Sequence, residues 1–233
     1  MRGRAHCGVE GAVYVEMLIV IWPLALLWLG LGQFGMLCAA DVLVTHAAGR
    51  AVRAAIVILP DDKPGWEVRY AEEEPLTLGG TGEGLDAYAS ATKGDRLAAI
   101  RRAARITLSS ISPQTGDSFP EIFRGYQWTE WAVAVTFPSG DSYLTEFSST
   151  QLLTARVTYL FPCVVPVVDR LLCSPYYGLD EPSRRELDTV DGWVLGAASL
   201  GLSLRGFDVF DLSASRFVAV RAQATMPMQG RRK

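Results

Sequence analysis

From Met17 to Ala40 the chain runs for 24 residues without an Asp, Glu, Lys or Arg. At a helical rise of about 1.5 Å per residue, roughly 20 apolar residues cross the hydrocarbon core of a bilayer, so this run can span one. It exceeds the h-region of a secretory signal, which is about 7–15 residues, and no A-x-A-like cleavage site closes it. The helical pattern then continues unbroken through DVLVTHAAGRAVRAAIVIL, with His46, Arg50 and Arg53 recurring on one side and small or apolar residues on the other. Pro60 and Asp61 end it. The pattern predicts one long helix over 12–59, with a transmembrane part at about 17–40 and a second half outside the membrane. Pro23 removes a backbone hydrogen bond and predicts a kink. Gly30, Gly32 and Gly35 leave a smooth strip, open to two readings: a seat for another helix, or the ordinary glycine content of membrane helices.

Beyond the helix the pattern changes twice. Residues 60–94 read as a Gly/Pro-rich acidic connector; counted through Asp95, the stretch from Pro60 holds nine acids against three bases. GGTGEG at 79–84 suggests a phosphate loop only superficially, because no strand precedes it and no helix follows closely, so it reads as a solvated loop. Residues 95–112 predict a second helix, with Leu97, Ile100, Ala104 and Leu108 as its apolar stripe. Arg101, Arg102 and Arg105 crowd its other side, a cluster that could meet phosphates or acidic headgroups but reads first as a solvated face, one that could turn toward the acidic connector. The period then becomes two. Trp131, Val133, Val135 and Phe137 alternate with smaller or polar residues, PSGD at 138–141 marks a turn, and SYLTEFSS is a candidate return strand. Alternation recurs over 153–161 and 218–226, predicting an antiparallel sheet with one buried face packed on a helix. The fold class expected is α+β, with an extracytoplasmic domain over 95–227 and a basic tail at 228–233. Within it, 163–173 reads as a core helix, with a surface-lying membrane segment as the minority reading, 174–188 as a loop, and 192–204 as ambiguous between helix and strand.

Composition narrows the chemistry. A net charge of −3 offers no basic footprint for nucleic acid. The two histidines are His6 and His46, and a Ser-His-Asp or Cys-His centre would have to use His46, on the long helix. No cofactor, metal site or catalytic residue is expected, since the four cysteines form no C-x-x-C pair and no histidines cluster beside them. Cys163 and Cys173 are the two cysteines of the main domain. A straight helix would hold them about 15 Å apart, so a disulfide requires the chain to fold back; a bridge and two buried thiols both remain open.

The sharpest motif lies ahead of the membrane run. Of the three glycines there, Gly3 has Gly8 five residues on, Gly8 has Val13, and only Gly11 has a carboxylate, Glu16. Gly11-Ala-Val-Tyr-Val-Glu16 followed by an apolar helix resembles the processing site of type IV pilin-like precursors. HAAGRAVRAAIVI continues the resemblance, as do LLTARVTYLFPCVVPV and, much later, FVAVRAQATMPM. Together these resemble the TadE-like family, minor pilins or pseudopilins of the bacterial tight-adherence (Tad, Flp) pilus. The resemblance covers residues 8–59 well and 150–227 more loosely.

That resemblance implies a prepilin-like leader at 1–11, cut by a prepilin peptidase between Gly11 and Ala12. Glu16 becomes the fifth mature residue, the assembly acid of the family. A lone carboxylate at the hydrocarbon edge is costly, and the free amine of a neighbouring chain would neutralise it. Met17 stands where main pilins of such systems carry an aromatic residue, and the large domain likewise points to a minor rather than a main pilin. The implied topology is a single pass through the bacterial inner membrane with a cytoplasmic N-terminus. The implied partners are the lipid bilayer, the Tad inner-membrane platform, a TadF-like protein and the main Flp-type pilin. Two rival readings compete with it. One is an unprocessed membrane-anchored periplasmic scaffold. The other is a membrane-tethered envelope enzyme using Asp180, Glu181, Glu186, Asp188 or Asp191, although no spacing pairs these acids for chemistry.

Overall fold

The apolar run and the small-residue run behind it form one helix. In the computed structural model α1 spans Val9–Ile58, 50 residues, and passes through Pro23 without ending. The structure describes residues 9–59, 76–78, 88, 96–112, 126, 128–140, 142–148, 151–163, 165, 167–199 and 216–228. Leader residues 1–8, the glycine run 79–84, residues 200–204 and the tail 229–233 lie outside the described residues.

The chain continues with β1 (Leu76–Thr77), α2 (Arg96–Leu108), a 3-10 turn (Ser109–Ile111) and four short strands. These are β2 (Val133–Thr136), β3 (Pro138–Ser139), β4 (Ser142–Tyr143) and β5 (Glu146–Phe147). The long strand β6 (Leu152–Pro162) precedes a single helical turn, α3 (Val168–Leu172). A 3-10 turn (Tyr176–Gly178), α4 (Glu181–Ser199) and β7 (Phe217–Pro227) complete the order. The fold is α+β.

The main sheet is antiparallel in the order β2–β6–β7, with β6 paired to β7 along all of its length. Register places Val135 opposite Val157 and Tyr159 opposite Val220. Strand alternation then sends Leu153, Ala155, Val157, Tyr159 and Phe161 to one face, where all are buried. The second half of α1 and helix α2 cover that face. Ala40, Val44, Ala47, Ala48, Ala51, Val52 and Ala55 are fully buried against it. Small side chains let the helix axis approach the sheet closely. The α2 stripe Leu97, Ile100, Ala104 and Leu108 is buried, as its period predicts.

The sheet buries more than the single face expected. From Val157 to Phe161 every residue of β6 is buried, because α4 covers the other face. The segment read as a loop over 174–188 therefore needs correction from residue 181 onward, where it is helical. Its start is legible in hindsight. Asp180 accepts the N–H of Ser183 through Oδ2 at 3.3 Å, an N-cap bond, and Pro182 sits in the first turn, where its missing N–H is harmless. The ambiguous apolar stretch from 192 is helical through Ser199.

The continuous core helix expected over 163–173 is also corrected. Only Val168–Leu172 is helical, and Arg170, Leu171 and Leu172 are exposed. The chain folds back instead. Cys163 and Cys173 are disulfide-bonded with their Cα atoms 6.6 Å apart. The PSGD turn is present, with Gly140 at φ +59°, joining β3 to β4. The return strand is shorter than its sequence suggested, and β5 pairs with β1 instead. Leu78 and Tyr88, from the segment between α1 and α2, are buried in the core. Tyr88 donates its hydroxyl to the Leu144 carbonyl and accepts from Phe137 N–H at 3.1 Å, and burial pushes its pKa up.

Candidate functional site: the exposed helix and its seat on the sheet

Helix α1 has two environments along one rod. Met17, Leu18, Ile19, Val20, Ile21 and Trp22 are consecutive and all exposed, so apolar side chains surround the helix rather than forming one stripe. Trp28 and Phe34 extend that surface, 69% and 61% exposed. A helix apolar all round belongs in a core or in a membrane, and this half is outside the core. α1 is thus one helix near the N-terminus long and apolar enough to cross a bilayer.

Gly11 and Ala12 lie in the first turns of α1, which begins at Val9. The side chains of residues 9–13 are outside the described set. Glu16 is exposed, one turn into the chain that Ala12 would begin. A Cβ at Gly30, Gly32 or Gly35 would meet nothing within 4 Å, so that strip is open. Cys38 is a free, exposed thiol, and His46 is exposed on the side of α1 away from the core.

The domain's seat on the sheet is held by a buried carboxylate. Glu186 of α4 is fully buried and accepts from Arg156 Nη1 at 2.9 Å, Tyr143 Oη at 3.0 Å and Thr158 Oγ1 at 2.5 Å. Arg156 and Thr158 are alternate residues of β6, so both face α4. The register puts Gln223 opposite Arg156 and Arg221 opposite Thr158. The Gln223 amide, with its oxygen toward the guanidinium, accepts from Arg156 Nε and Nη2 at 2.7 Å. Arg221 pairs with Asp180 at the start of α4. Burial alone would raise the Asp180 pKa, but the Ser183 hydrogen bonds and the Arg221 charge outweigh it and hold the carboxyl below its usual value. For Tyr143, burial and the neighbouring Glu186 charge push the phenol up.

Four of the five acids weighed as a catalytic set have side-chain partners within the fold. Asp180 pairs with Arg221, Glu181 with Arg185, Asp188 accepts from Tyr176 Oη at 2.7 Å, and Glu186 anchors α4. The side chain of Asp191 lies outside the described residues. The arginine face of α2 needs correction as well, since it is not simply solvated. Arg105 donates to Tyr126 O at 3.3 Å and Thr129 Oγ1 at 3.4 Å and lies 4.4 Å over the Tyr126 ring, and Arg101 donates to Glu130 O at 3.5 Å. Burial lowers the Arg105 pKa. These two arginines dock the turn that leads into β2, while Arg102 stays exposed.

Glu186, weighed from the sequence only as a candidate catalytic acid, and Gln33, not singled out there, both stand out. The structural role of Glu186 became legible only once α4 put it opposite Arg156 and Thr158 of β6. Gln33, inside the uncharged run, is fully buried and accepts the Val165 N–H through Oε1 at 3.3 Å. Its polarity within that run was the available signal. No protein-family model, curated protein or solved structure matches this chain.

Proposed function

We propose that this protein is a TadE-like minor pilin or pseudopilin, acting in the assembly or anchoring of a Tad-type pilus rather than in catalysis. One observation carries the reading. The same continuous helix is apolar on all sides over its first half and packs into the core of a sheet domain over its second. Such a molecule has one surface made for lateral packing in a membrane or filament, mechanically joined to a folded head. The Gly11-Ala12 bond and Glu16, at the free end of this helix, are where the pilin resemblance puts processing and register.

On this reading a prepilin peptidase removes residues 1–11, and the new amine of a neighbouring chain meets Glu16 as the helices pack. The open strip at Gly30, Gly32 and Gly35 allows close helix approach, as glycine does between membrane helices. The partners are the Tad inner-membrane platform, a TadF-like protein and the main Flp-type pilin. The head lies outside the cytoplasm, and the Cys163–Cys173 disulfide supports an oxidising compartment. Co-purification from bacterial membranes tests the assembly role. Glu16→Ala leaves the protein in the membrane fraction but removes its association with the platform and the pili that depend on it. Glu16→Ala that assembles like the parent would sink the role given to this acid.

A further inference from the structure

The disulfide-closed turn at 163–173 carries the exposed apolar side chains of Val167, Leu171 and Leu172 and is attached to the exposed apolar half of α1. Its attachment point is Gln33, which accepts the Val165 N–H at 3.3 Å while fully buried by the segment above it. The depth of that point follows from the charges that bracket the uncharged run. Along a helix rising about 1.5 Å per residue, Gln33 lies about 25 Å beyond Glu16, and Asp41 about 37 Å beyond it. A hydrocarbon core about 30 Å thick that excludes both carboxylates has little room to slide. In every such placement Gln33 sits about 5–12 Å inside the outer edge of the hydrocarbon. The turn docked on it cannot be held in bulk water.

We propose that the 163–173 turn is a second membrane contact, a foot that enters the outer leaflet beside α1 with lipid as its partner. Its surface has the required chemistry. Leu171 is 73% exposed, Leu172 51% and Val167 43%, three large apolar side chains within six residues. Val167 takes φ +73°, a left-handed value that is costly for a β-branched residue. Backbone satisfaction points the same way. Non-helical backbone at membrane depth is tolerated only where its polar groups find protein partners. Here Cys163 N–H donates to Arg216 O, Val165 to Gln33, Asp169 to Val165 O, Arg170 to Val167 O and Cys173 to Asp169 O. Asp169 also accepts the Arg170 N–H through Oδ1 at 2.7 Å. Arg170 itself is exposed and long enough to reach the headgroups from the foot, which limits the foot to the boundary region.

The inference rests on α1 being a membrane span, and the test separates the two. The full chain is placed in vesicles of phosphatidylethanolamine and phosphatidylglycerol, with photoreactive benzoylphenylalanine replacing Ile19, Leu171 or Val57 in turn. Val57 is 67% exposed at the far end of α1 and serves as the aqueous position. Mass spectrometry under non-reducing conditions reads lipid adducts and confirms the disulfide in each variant. Lipid adducts at Ile19 and Leu171, with few at Val57, are expected. Adducts at Ile19 alone would overturn the foot and leave the span standing. Adducts at neither would overturn both. Adducts at Val57 as strong as at Leu171, or Leu171 adducts to a second copy of the chain in place of lipid, would also overturn the foot.

Discussion

Replacing Glu186 by Ala removes the common acceptor of Arg156, Tyr143 and Thr158 and leaves three donors at the junction of α4 with the sheet. Breaking a buried ion pair by deleting one partner costs about 3–5 kcal/mol, because the surviving charge stays desolvated. Two features of this site reduce that figure. The Arg156 side chain is 20% exposed, and Gln223 remains as an acceptor for its guanidinium. A loss of about 2–3 kcal/mol is therefore expected, and Glu186→Gln, which keeps an acceptor oxygen, should lose roughly half as much. The loss should be local first, since α4 meets the sheet on the face opposite α1. Hydrogen exchange on the full chain in detergent micelles reads it directly. Amides of α4 should lose protection by about 30- to 150-fold, while those of α1 around the fully buried Ala47, Ala48, Ala51, Val52 and Ala55 change much less. Urea titration of the same sample should show a lower midpoint at an unchanged slope. Equal loss of protection in both helices would refute the reasoning, as would a stability change below about 0.5 kcal/mol.

Further outcomes follow from the packed half of α1 and from the buried phenols. Ala51→Leu inserts three carbons into the fully buried face against the sheet and should cost about 1–3 kcal/mol by overpacking, measured by thermal melting of the head. Val57→Leu, on the exposed side, should be neutral. Burial pushes the Tyr159 phenol up to about 12 from an ordinary value near 10, with the Ser112 hydrogen bond offsetting part of the rise. The unfolded chain then loses this proton before the folded one does. The associated stability is intact below pH 10 and drains away between about pH 10 and 12, by on the order of 2 kcal/mol. Tyr159→Phe should flatten that alkaline loss, and an unchanged pH profile would contradict the burial argument.

Much of this architecture was legible because period and face coincide. The small-residue run from Ala47 to Ala55, the stripe Leu97–Leu108 and the alternation over 153–161 each specify a face that the structure buries, and the face specified over 218–226 is partly buried, with Val220 in the core. What stayed hidden depends on contacts distant in sequence. The helix α4 was obscured by Asp180, Pro182 and the charges that follow, which read as a loop until Asp180 is seen to cap and Glu186 to be neutralised by β6. The 163–173 segment misled in the other direction. Its hydrophobicity suggested a core helix, whereas the disulfide closes it into a turn whose leucines face outward. At the N-terminus, composition marks a helix long and apolar enough to span a membrane, while the proposed processing rests on the six residues from Gly11 to Glu16.

The account's central claim is that the chain acts as a processed, pilin-like subunit, and its N-terminus decides it. Intact mass and N-terminal sequence of the protein purified from membranes, with and without the host prepilin peptidase, read it directly. The account predicts a chain beginning at Ala12 only when the peptidase is present. A chain beginning at Met1 in both samples would contradict it and leave a permanently anchored scaffold in its place.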